Sequence, residues 1–476
     1  MNVGLDGKLD SSYAALPEAF YTRMEPNPVS EPQMVKWNEK LAAHLGIEQE
    51  GVLEALAGNA FPQGAIPIAQ AYAGHQFGNF TMLGDGRAIL LGEWQDQKGK
   101  KVDIQLKGAG RTPYSRGGDG RAALGPMLRE YVISEAMHGL GIPTTRSLAV
   151  VATGEPIYRE TELPGAVLTR IAASHIRVGT FEYARRFCSE LELKALADYS
   201  IQRHYRELAD QPDKYVRFFQ AVVERQAALL AKWVSVGFIH GVMNTDNMTI
   251  SGETIDYGPC AFLDTYEPMT VYSSIDLQGR YAYANQPPIA AWNLARFAEA
   301  LLPLFDEVPE KAVKKAEGIL REYPRMYRKS WLDIMYQKIG IEDVKDGDEA
   351  LVEDLLKVME QAEMDYTNTF RALTTGDTAS LEQAEGFQSW NERWEARLAS
   401  EGIEAAREKM RQSNPSVIPR NHLVEEALEA AGSGDYTLFN RLCDIVSDPY
   451  SDAPIDPKYT EDPPEPEEPF QTFCGT

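Results

Sequence analysis

The chain has 476 residues, of which 47 are basic and 71 acidic, so its formal net charge is −24. This surplus of negative charge argues against non-specific binding to nucleic acid or to anionic membranes, because both need a basic surface. The sequence has no apolar run of about 18 residues and no apolar signal-peptide core, and it therefore predicts a soluble, cytoplasmic protein.

The first 62 residues mix short apolar pieces with Pro and Asn, and their aromatic residues favour an ordered N-terminal extension. A helix is predicted from Glu31 to Leu45, because Gly46 is placed to cap its end. From Phe77 the pattern becomes that of β-strands. Strands are predicted at residues 77–83, 88–94 and 102–107.

A Gly-Asp-Gly turn at residues 84–86 and a lysine that ends the third strand, Lys107, follow the order in which a kinase N-terminal lobe begins. Gly84 and Gly86 would let backbone N–H groups approach phosphate oxygens without a Cβ in the way. Most such glycines only form turns, and most such lysines lie on the surface. Their order upstream of the catalytic stretch described below favours the phosphate interpretation.

A loop rich in Gly and Arg follows at residues 108–121, without strand or helix periodicity. It suits an anion-binding loop that wraps phosphates, and a mobile surface loop is the alternative. A helix predicted from Pro126 to His138 then offers Glu130 and Glu135 as partners for Lys107, as the helix αC glutamate of a kinase pairs with the strand lysine.

Two more strands are predicted at Ser147–Thr153 and Ala166–Ile171, joined by a hairpin turn at Gly154-Glu-Pro156. Arg170 and Arg177 follow, with His175 between them. Strand-end arginines are often plain surface charges, but these lie where two lobes would meet. We expect them to face the nucleotide cleft and to clamp a polyphosphate.

From Phe181 onward the pattern is mainly helical. Apolar residues at steps of three and four from Val216 to Val234 predict a helix that leads to the catalytic stretch. Another helix is predicted from Leu294 to Leu304, after an irregular segment at residues 273–288. Trp390 and Trp394 favour packing over ligand contacts, and the Pro- and acid-rich residues 448–470 predict an extended segment.

The stretch from Phe238 to Met248 is followed by Asp256-Tyr-Gly258. In protein kinases the pattern H-R-D-L-x-x-x-N precedes D-F-G, with the first Asp as base and the Asn and second Asp on metal. His240 and Asn247 match this pattern at the kinase spacing, but Val242 stands where the base belongs. The sequence thus predicts a site that holds a metal nucleotide and lacks the kinase base.

Together these blocks resemble the selenoprotein O family, also called the YdiU family, across nearly the whole chain. Several long, uncommon motifs in one order make the resemblance specific. They are Ala73-Gly-His-Gln-Phe-Gly78, Leu83-Gly-Asp-Gly-Arg-Ala88, Gln105-Leu-Lys-Gly-Ala-Gly-Arg-Thr-Pro-Tyr-Ser-Arg116, Gly118-Asp-Gly-Arg-Ala122, His240-Gly-Val-Met-Asn-Thr-Asp-Asn-Met248, Ile255-Asp-Tyr-Gly-Pro259 and Gln286-Pro-Pro-Ile-Ala-Ala-Trp-Asn-Leu294.

The resemblance implies an α+β fold of the bilobal protein-kinase type. We expect four parts: an N-terminal extension at residues 1–62, a kinase-like N-lobe at 63–178, a helical C-lobe at 179–420 and a C-terminal segment at 421–476. The C-lobe would carry the catalytic loop and a segment that resembles a kinase activation segment.

The resemblance also implies that the protein transfers AMP from ATP to Ser, Thr or Tyr hydroxyls of target proteins and releases pyrophosphate, with the nucleotide inverted relative to kinases. Redox-related proteins are candidate targets. Asp246 would accept the proton, Glu130 would pair with Lys107, and Asn247 and Asp256 would hold Mg²⁺ or Mn²⁺. The residues that would contact ATP are Gly84, Gly86, Arg87, Lys107, Asp119, Gly120, Arg170, Arg177 and Asp256.

Redox control is where the sequence departs from the family. Members often carry a C-terminal Cys-x-x-Sec or Cys motif, in some cases linked to the activation segment. Here the tail reads Cys474-Gly-Thr476, and residues 273–288 contain no cysteine. Cys260 is the nearest candidate for a bond to Cys474, but nothing local fixes their distance.

Two other functions stay open at this stage. One is a conventional protein kinase, which Val242 disfavours. The other is a non-catalytic pseudokinase scaffold that binds nucleotide or partner proteins.

Overall fold

The computed structural model describes residues 5, 9–399, 402–464 and 470–472. Its strands are β1 (Tyr21–Arg23), β2 (Gln33–Trp37), β3 (Ile68–Gln70), β4 (Ala73–Gln76), β5 (Asn79–Met82), β6 (Ala88–Gln95), β7 (Lys101–Lys107), β8 (Ala122–Ala123), β9 (Arg146–Tyr158), β10 (Glu162–Ala172), β11 (Phe238–Ile239) and β12 (Ala261–Phe262). Its helices are α1 (Glu39–Leu45), α2 (Leu53–Ala57), α3 (Leu124–Gly139), α4 (Val178–Phe187), α5 (Glu190–His204), α6 (Lys214–Ser235), α7 (Gln286–Phe305), α8 (Pro309–Lys338), α9 (Asp348–Gln361), α10 (Tyr366–Thr375), α11 (Phe387–Leu398), α12 (Ile403–Ser413), α13 (Asn421–Gly432) and α14 (Thr437–Val446).

Eight strands form one antiparallel sheet in the order β1-β3-β6-β7-β10-β9-β2, with β8 pairing beside β10. Alternate residues of a strand point to opposite faces. On β7, Ile104 and Leu106 join the apolar core shared with α1 and α2. Gln105 and Lys107, which alternate with them along the strand, therefore point to the other face, where α3 packs.

The same alternation acts on the neighbouring strand β10. Arg170 pairs with Gln105 in register, two residues from the pair that Leu168 forms with Lys107. Arg170 and Lys107 consequently share the α3 face of the sheet. The strand period thus brings together two cations that lie far apart in sequence.

The helical half of the chain packs in two apolar clusters. The first joins α3 to α6 and α7, so that sheet and helices share one core. The second is formed mainly by α8 to α12, and there the Trp390 and Trp394 rings stack 5.6 Å apart with both indole N–H groups bonded to backbone carbonyls. The predicted packing role of these two tryptophans is confirmed.

Much of the predicted secondary structure is confirmed, including the strands β6 and β7 and the helices α3, α6 and α7. The predicted mixture of antiparallel strands and helices is confirmed as well. The division into two lobes, with boundaries at residues 62, 178 and 420, stays a prediction. None of the described helices is long and apolar enough to span a membrane.

The helix predicted from Glu31 to Leu45 is wrong in its first half. Residues Gln33–Trp37 form the edge strand β2, which pairs with β9. The helix α1 begins only at Glu39, where the Asn38 side chain accepts the Leu41 N–H at 3.0 Å. Tertiary pairing with β9 outweighs the local helix signal here.

The hairpin turn predicted at Gly154-Glu-Pro156 is also wrong, because β9 continues to Tyr158 and turns at residues 159–161. The pairing of β2 with β9 ends at Ala152, so Pro156 lies beyond the stretch in which β9 must donate to β2. A proline without an N–H is tolerated at such a position.

The first of the three strands predicted for the N-lobe lies outside the main sheet. Residues 73–82 fold into the separate hairpin β4–β5, and β3 takes the place beside β6.

The segment predicted to be irregular at 273–288 is shorter than expected, because a turn of 3₁₀ helix at Tyr283–Asn285 leads directly into α7.

Only part of the predicted extended tail is described. It contains a helical turn at Pro457–Tyr459, and Thr472 pairs with the segment after Asp256-Tyr-Gly258 through bonds to Tyr272 O and Pro259 O. Cys474 lies outside the described residues, and so does the pairing considered for it with Cys260.

Candidate active site

A cleft of about 360 Å³ opens where the sheet meets the stretch from Val242 to Pro259. Every residue predicted to contact ATP, to hold metal or to act as base lines this cleft, whereas Glu130 lies behind Lys107. Seven basic and four acidic residues line it, in a chain whose net charge is strongly negative. They are Arg87, Lys107, Arg116, Arg121, Arg159, Arg170 and Arg177, with Asp85, Asp119, Asp246 and Asp256.

Three cations converge on the Asp256 carboxylate. Lys107 Nζ lies 3.0 Å from Oδ1, and Arg170 Nη2 lies 2.6 Å from the same oxygen. Arg177 Nη1 donates to Oδ2 at 2.7 Å. The residues come from β7, β10 and the start of α4, so Asp256 joins the sheet to the helical part of the chain.

Glu130 on α3 is the second carboxylate of this network. Its Oε2 accepts from Lys107 Nζ at 2.5 Å, and its Oε1 accepts from Arg170 Nε at 2.9 Å. The structure thus places Glu130 beside Lys107, as predicted. Glu135, the other glutamate considered for this contact, instead binds Arg146 at 2.6 Å.

Burial opposes the charged form of both network carboxylates, yet their pKa values move downward. For Asp256, the charges of Arg170, Lys107 and Arg177 outweigh burial and hold its pKa well below the usual range. For Glu130, Arg170 and Lys107 likewise overcome burial and lower the pKa. Both carboxylates are therefore ionised at neutral pH.

The backbone around Asp256 is fixed by the catalytic stretch. Asp256 has a φ of 63°, a left-handed conformation that Asp adopts more readily than most residues. The buried His240 ring bonds through Nε2 to Ile255 O at 2.9 Å and stacks on Trp233. His240 thereby holds the residue that precedes Asp256 and has a structural role.

Asp246 lies buried across the cleft on a 3₁₀ turn at Thr245–Asn247. Its Oδ1 has no hydrogen-bond partner in the described part of the chain, and Arg177 donates to its backbone oxygen at 2.9 Å. Burial raises the Asp246 pKa to about 7, although Arg177 opposes the shift. Any side chain at Gly74 would overlap Oδ1, so this close approach requires glycine.

Asn247 and Val242 belong to the catalytic stretch, and both line the cleft. Asn247 Nδ2 donates to Val242 O at 2.9 Å, which leaves the amide oxygen as an acceptor. Val242 lines the cleft with a mostly buried, apolar side chain. No acid therefore stands at the kinase base position.

Gly84 and Gly86 line the cleft but also pack closely against the loop at residues 112–116. A Cβ at Gly84 would overlap the Tyr114 ring, and one at Gly86 would lie 2.9 Å from Tyr114 O. The loop is held further by Thr112 Oγ1, which donates to Asp85 O at 2.7 Å. The two glycines therefore seat this Arg-rich loop against the cleft wall.

Asp119 and Gly120 lie on the outer wall of the cleft. The Asp119 carboxylate receives two bonds from the Arg159 guanidinium, at 2.8 and 3.0 Å. Arg121 N donates to the same side chain at 2.9 Å. Asp119 thus holds two arginines at the cleft mouth.

Sequence reasoning gave no role to Asp85. It lies between Gly84 and Gly86, and its buried carboxylate accepts from Gln70 N at 3.0 Å, while burial raises its pKa to about 6. His175, which lies between Arg170 and Arg177 in the sequence, turns away from the cleft and bonds to Asp103 at 3.1 Å. No local signal in the sequence distinguishes it from its neighbours.

A second missed group supports Asp246 from behind. The buried Glu182 on α4 bonds through one oxygen to His75 Nδ1 and through the other to Thr245 Oγ1. Burial raises the Glu182 pKa to about 7. The motif Ala73-Gly-His-Gln-Phe-Gly78 marked His75, but nothing in the sequence marked Glu182.

Comparison with known proteins identifies the family of this chain. A sequence model described as Protein adenylyltransferase SelO matches residues 5–447. The chain belongs to the SelO family. It is therefore a member of an enzyme family of nucleotidyltransferases, as the sequence motifs predicted.

Curated relatives of the SelO family agree over almost the whole length. A protein of Brevibacillus brevis named Protein nucleotidyltransferase YdiU is 60% identical over 477 residues, which cover 98% of this chain and 97% of that protein. Relatives of the same name in Geobacillus kaustophilus and Alkaliphilus metalliredigens are 59% and 57% identical, each over 98% of this chain and over 99% and 97% of their own lengths.

The residues of this SelO chain fit a nucleotide-borne divalent cation. Among the described residues, no three His, Cys, Asp or Glu side chains group into a self-contained metal site. Mg²⁺ commonly takes one or two carboxylates and fills its other positions with water and phosphate oxygens. Asp256 and the Asn247 amide oxygen, which both line the cleft, offer oxygen ligands of that kind.

Proposed function

We propose that this chain transfers AMP from ATP to Ser, Thr or Tyr hydroxyls of target proteins and releases pyrophosphate. The observation that carries the proposal is the convergence of Lys107, Arg170 and Arg177 on Asp256 inside a cleft whose lining is basic. A basic cleft in a chain of net charge −24 favours a polyanionic substrate. Family membership supports the same transfer.

The cations match the charge that develops in adenylyl transfer. The acceptor hydroxyl oxygen forms a bond to the α-phosphorus, and the bond from that phosphorus to the bridging β-oxygen breaks. The electron pair leaves with pyrophosphate. Guanidinium and ammonium groups fixed in a buried site stabilise such a leaving group without having to reorganise. Lys107, Arg170 and Arg177 supply these groups, and they are held in place by Glu130 and Asp256.

Asp246 is the acceptor for the hydroxyl proton. It lines the cleft, and one oxygen of its buried carboxylate is free of any described hydrogen bond. A general base must come within hydrogen-bond reach of the proton that it takes. Glu182 and Thr245 fix the turn on which Asp246 lies, so the base is positioned before the target binds.

Mg²⁺ or Mn²⁺ bound with ATP would be held by Asn247 and Asp256 and would neutralise phosphate charge at the reacting centre. The chain's own residues then orient the nucleotide. Arg170 and Arg177 line the cleft and would bind the phosphates of ATP. The cleft is also lined by Gly84, Gly86, Arg87, Asp119 and Gly120. The family resemblance implies that ATP lies inverted relative to its orientation in protein kinases, and the apolar Val242 at the kinase base position is compatible with that orientation.

Labelled ATP tests the proposal directly. The purified protein is incubated with a mixture of bacterial proteins and ATP labelled at either the α or the γ phosphate. We expect label to enter protein from the α position only, and Asp246→Asn to slow this transfer by on the order of 10²-fold. Label from the γ position alone would identify a conventional kinase. Transfer from neither position would favour a nucleotide-binding scaffold.

A further inference from the structure

A surface of arginines and aromatic rings, here named the arginine patch, lies beside the hairpin β4–β5. Its members are Arg186, Arg280, Arg296, Phe80 and Trp292. The Arg186 guanidinium lies 4.5 Å from the centre of the Phe80 ring. Arg280 and Arg296 each lie 4.9 Å from the Trp292 ring centre. The three arginines come from α4, from the segment before α7 and from α7 itself.

The hairpin connects this patch to the candidate base. His75 on β4 packs edge-on between Phe80 and Trp292, at 5.4 and 5.3 Å between ring centres. The backbone N–H of His75 donates to Thr245 Oγ1 at 2.7 Å, one residue from Asp246. The preceding residue of the strand, Gly74, lies directly against Asp246. The patch therefore begins within one short strand of the candidate proton acceptor.

The charge of the patch is largely uncompensated. Within the described part of the chain, no carboxylate forms an ion pair with Arg186 or Arg280, and Arg280 Nε is buried without a hydrogen-bond partner. Only Arg296 has such a partner, Glu299 at 2.6 Å, whose own side chain is more than half exposed. In a chain with a net charge of −24, this is an unusual concentration of free positive charge.

Exposed apolar side chains border the arginines. Met82 and Phe187 are 43% and 52% exposed, and Leu277 in the turn before Arg280 is 92% exposed. Exposed apolar groups next to charged ones are typical of protein-binding surfaces. Arginines stacked on rings have a fixed fork that binds carboxylates through two hydrogen bonds.

We propose that the arginine patch binds an acidic segment of the target protein and so presents the neighbouring hydroxyl to Asp246. This inference rests on the proposed function for the identity of the occupant. Asp or Glu side chains of the segment would bind Arg186 and Arg280, and an apolar side chain would lie against Met82, Phe187 or Leu277. Selection of targets then depends on acidic residues near the acceptor hydroxyl.

Peptide binding tests this surface without any transfer step. Two fluorescein-labelled peptides of roughly a dozen residues are compared, long enough to lie along the hairpin. One carries Asp and Glu around a central Ala and a Leu, and the other has Lys at each acidic position. Fluorescence anisotropy gives their affinities for the wild type, Arg186→Glu, the double variant Arg186→Glu/Arg280→Glu and a control, Arg325→Glu. Arg325 lies on α8 and is 84% exposed.

The expected result is that the acidic peptide binds the wild type at least about tenfold more tightly than the basic one. The double variant should lose this preference, the Arg186→Glu variant part of it, and Arg325→Glu none, while ATP binding by calorimetry stays unchanged throughout. Equal affinity for both peptides, no measurable binding of either, or full retention by the double variant would overturn the proposal.

Two further measurements separate this proposal from a disturbed fold and from a failure of the proposed AMP transfer. If the double variant also loses ATP binding, its fold is disturbed, and the exposed Arg186→Glu variant decides alone. If the acidic peptide binds at the patch but its Ser-containing version never receives AMP, the proposed transfer fails while the binding surface stands.

Discussion

The buried cations of the cleft and the buried Arg420 of the helical half are partnered in opposite ways. In the cleft, Lys107, Arg170 and Arg177 share two carboxylates, Glu130 and Asp256. In the helical half, the single guanidinium of Arg420 binds two carboxylates, at 2.9 Å from Asp264 and 2.6 Å from Asp365. Positive charge is thus in excess in the first region and outnumbered in the second.

The Arg177 and Arg420 side chains differ in the same way. Arg177 Nε, buried at the cleft, has no hydrogen-bond partner among the described residues, whereas the Arg420 side chain binds both of its neighbours. A buried polar group without a partner is costly, so it persists where a ligand completes it. The comparison teaches that the cleft is built to be completed by an anion, while the Arg420 group is complete and structural.

The largest effect is expected for Asp256→Asn. The substitution removes the charge that gathers three cations and the carboxylate that would face the metal nucleotide. AMP transfer should fall by on the order of 10³-fold. The initial rate of incorporation from α-labelled ATP measures it. A rate within about tenfold of wild type would show that the cations, and not Asp256, organise the site.

Arg420→Met tests the other side of the comparison. It leaves the buried Asp365 and the half-buried Asp264, at 8% and 24% side-chain exposure, without their cation. The free energy of unfolding should fall by roughly 3 kcal/mol, measured by urea denaturation. The rate per folded molecule should stay close to wild type at low temperature. A loss of kcat as large as that of a cleft variant would erase the distinction between the two regions.

Lys107→Met should reduce AMP transfer by about 10²-fold, because it removes one charge from the leaving-group side while Arg170 still neutralises Glu130. Its matched control is Lys101→Met at the opposite end of β7, where the lysine pairs with the exposed Asp10 at 2.5 Å. Steady-state kinetics of both variants measure the contrast. Equal rates for the two would remove Lys107 from the site.

The smallest effect concerns Lys338, a buried cation that lies 4.2 Å from the Phe370 ring centre. Burial lowers its pKa from 10.5 to about 7. Between these values the unfolded chain binds the extra proton, so stability rises with pH in this window. Lys338→Met should therefore stabilise the protein by roughly 2 kcal/mol below pH 7, with the gain shrinking towards pH 10.

Urea denaturation at several pH values measures this profile. A constant gain across the whole range would mean that Lys338 stays charged in the folded state, held by the rings of Phe370 and Tyr366. It would then resemble the cleft cations in keeping its charge despite burial.

The sequence predicted the cleft better than the fold around it. Lys107, Asp246 and Asp256 could be named because each lies in a motif that resembles the family's, and Arg170 could be named from its position near a strand end. Residues that act through tertiary contacts carried no such signal. Glu182 looks like any helical glutamate until the fold places it between His75 and Thr245.

The errors in secondary structure have the same origin. The segment Gln33–Trp37 has a local pattern compatible with a helix, and only the unpaired edge of β9 makes it a strand. Gly154-Glu-Pro156 is a good turn sequence, but β10 offers it a partner to pair with. Local propensity is a weak signal wherever a sheet edge competes for the same backbone groups.

The pairing of β2 with β9 also has a consequence for synthesis. Gln33 pairs with Ala152 and Trp37 with Ala149, so β2 leaves the ribosome long before its only sheet neighbour exists. Chains emerge from the N-terminus, and contacts between distant segments form late. The growing chain therefore carries a segment that ends in Trp37 and has no sheet partner until β9 has been synthesised.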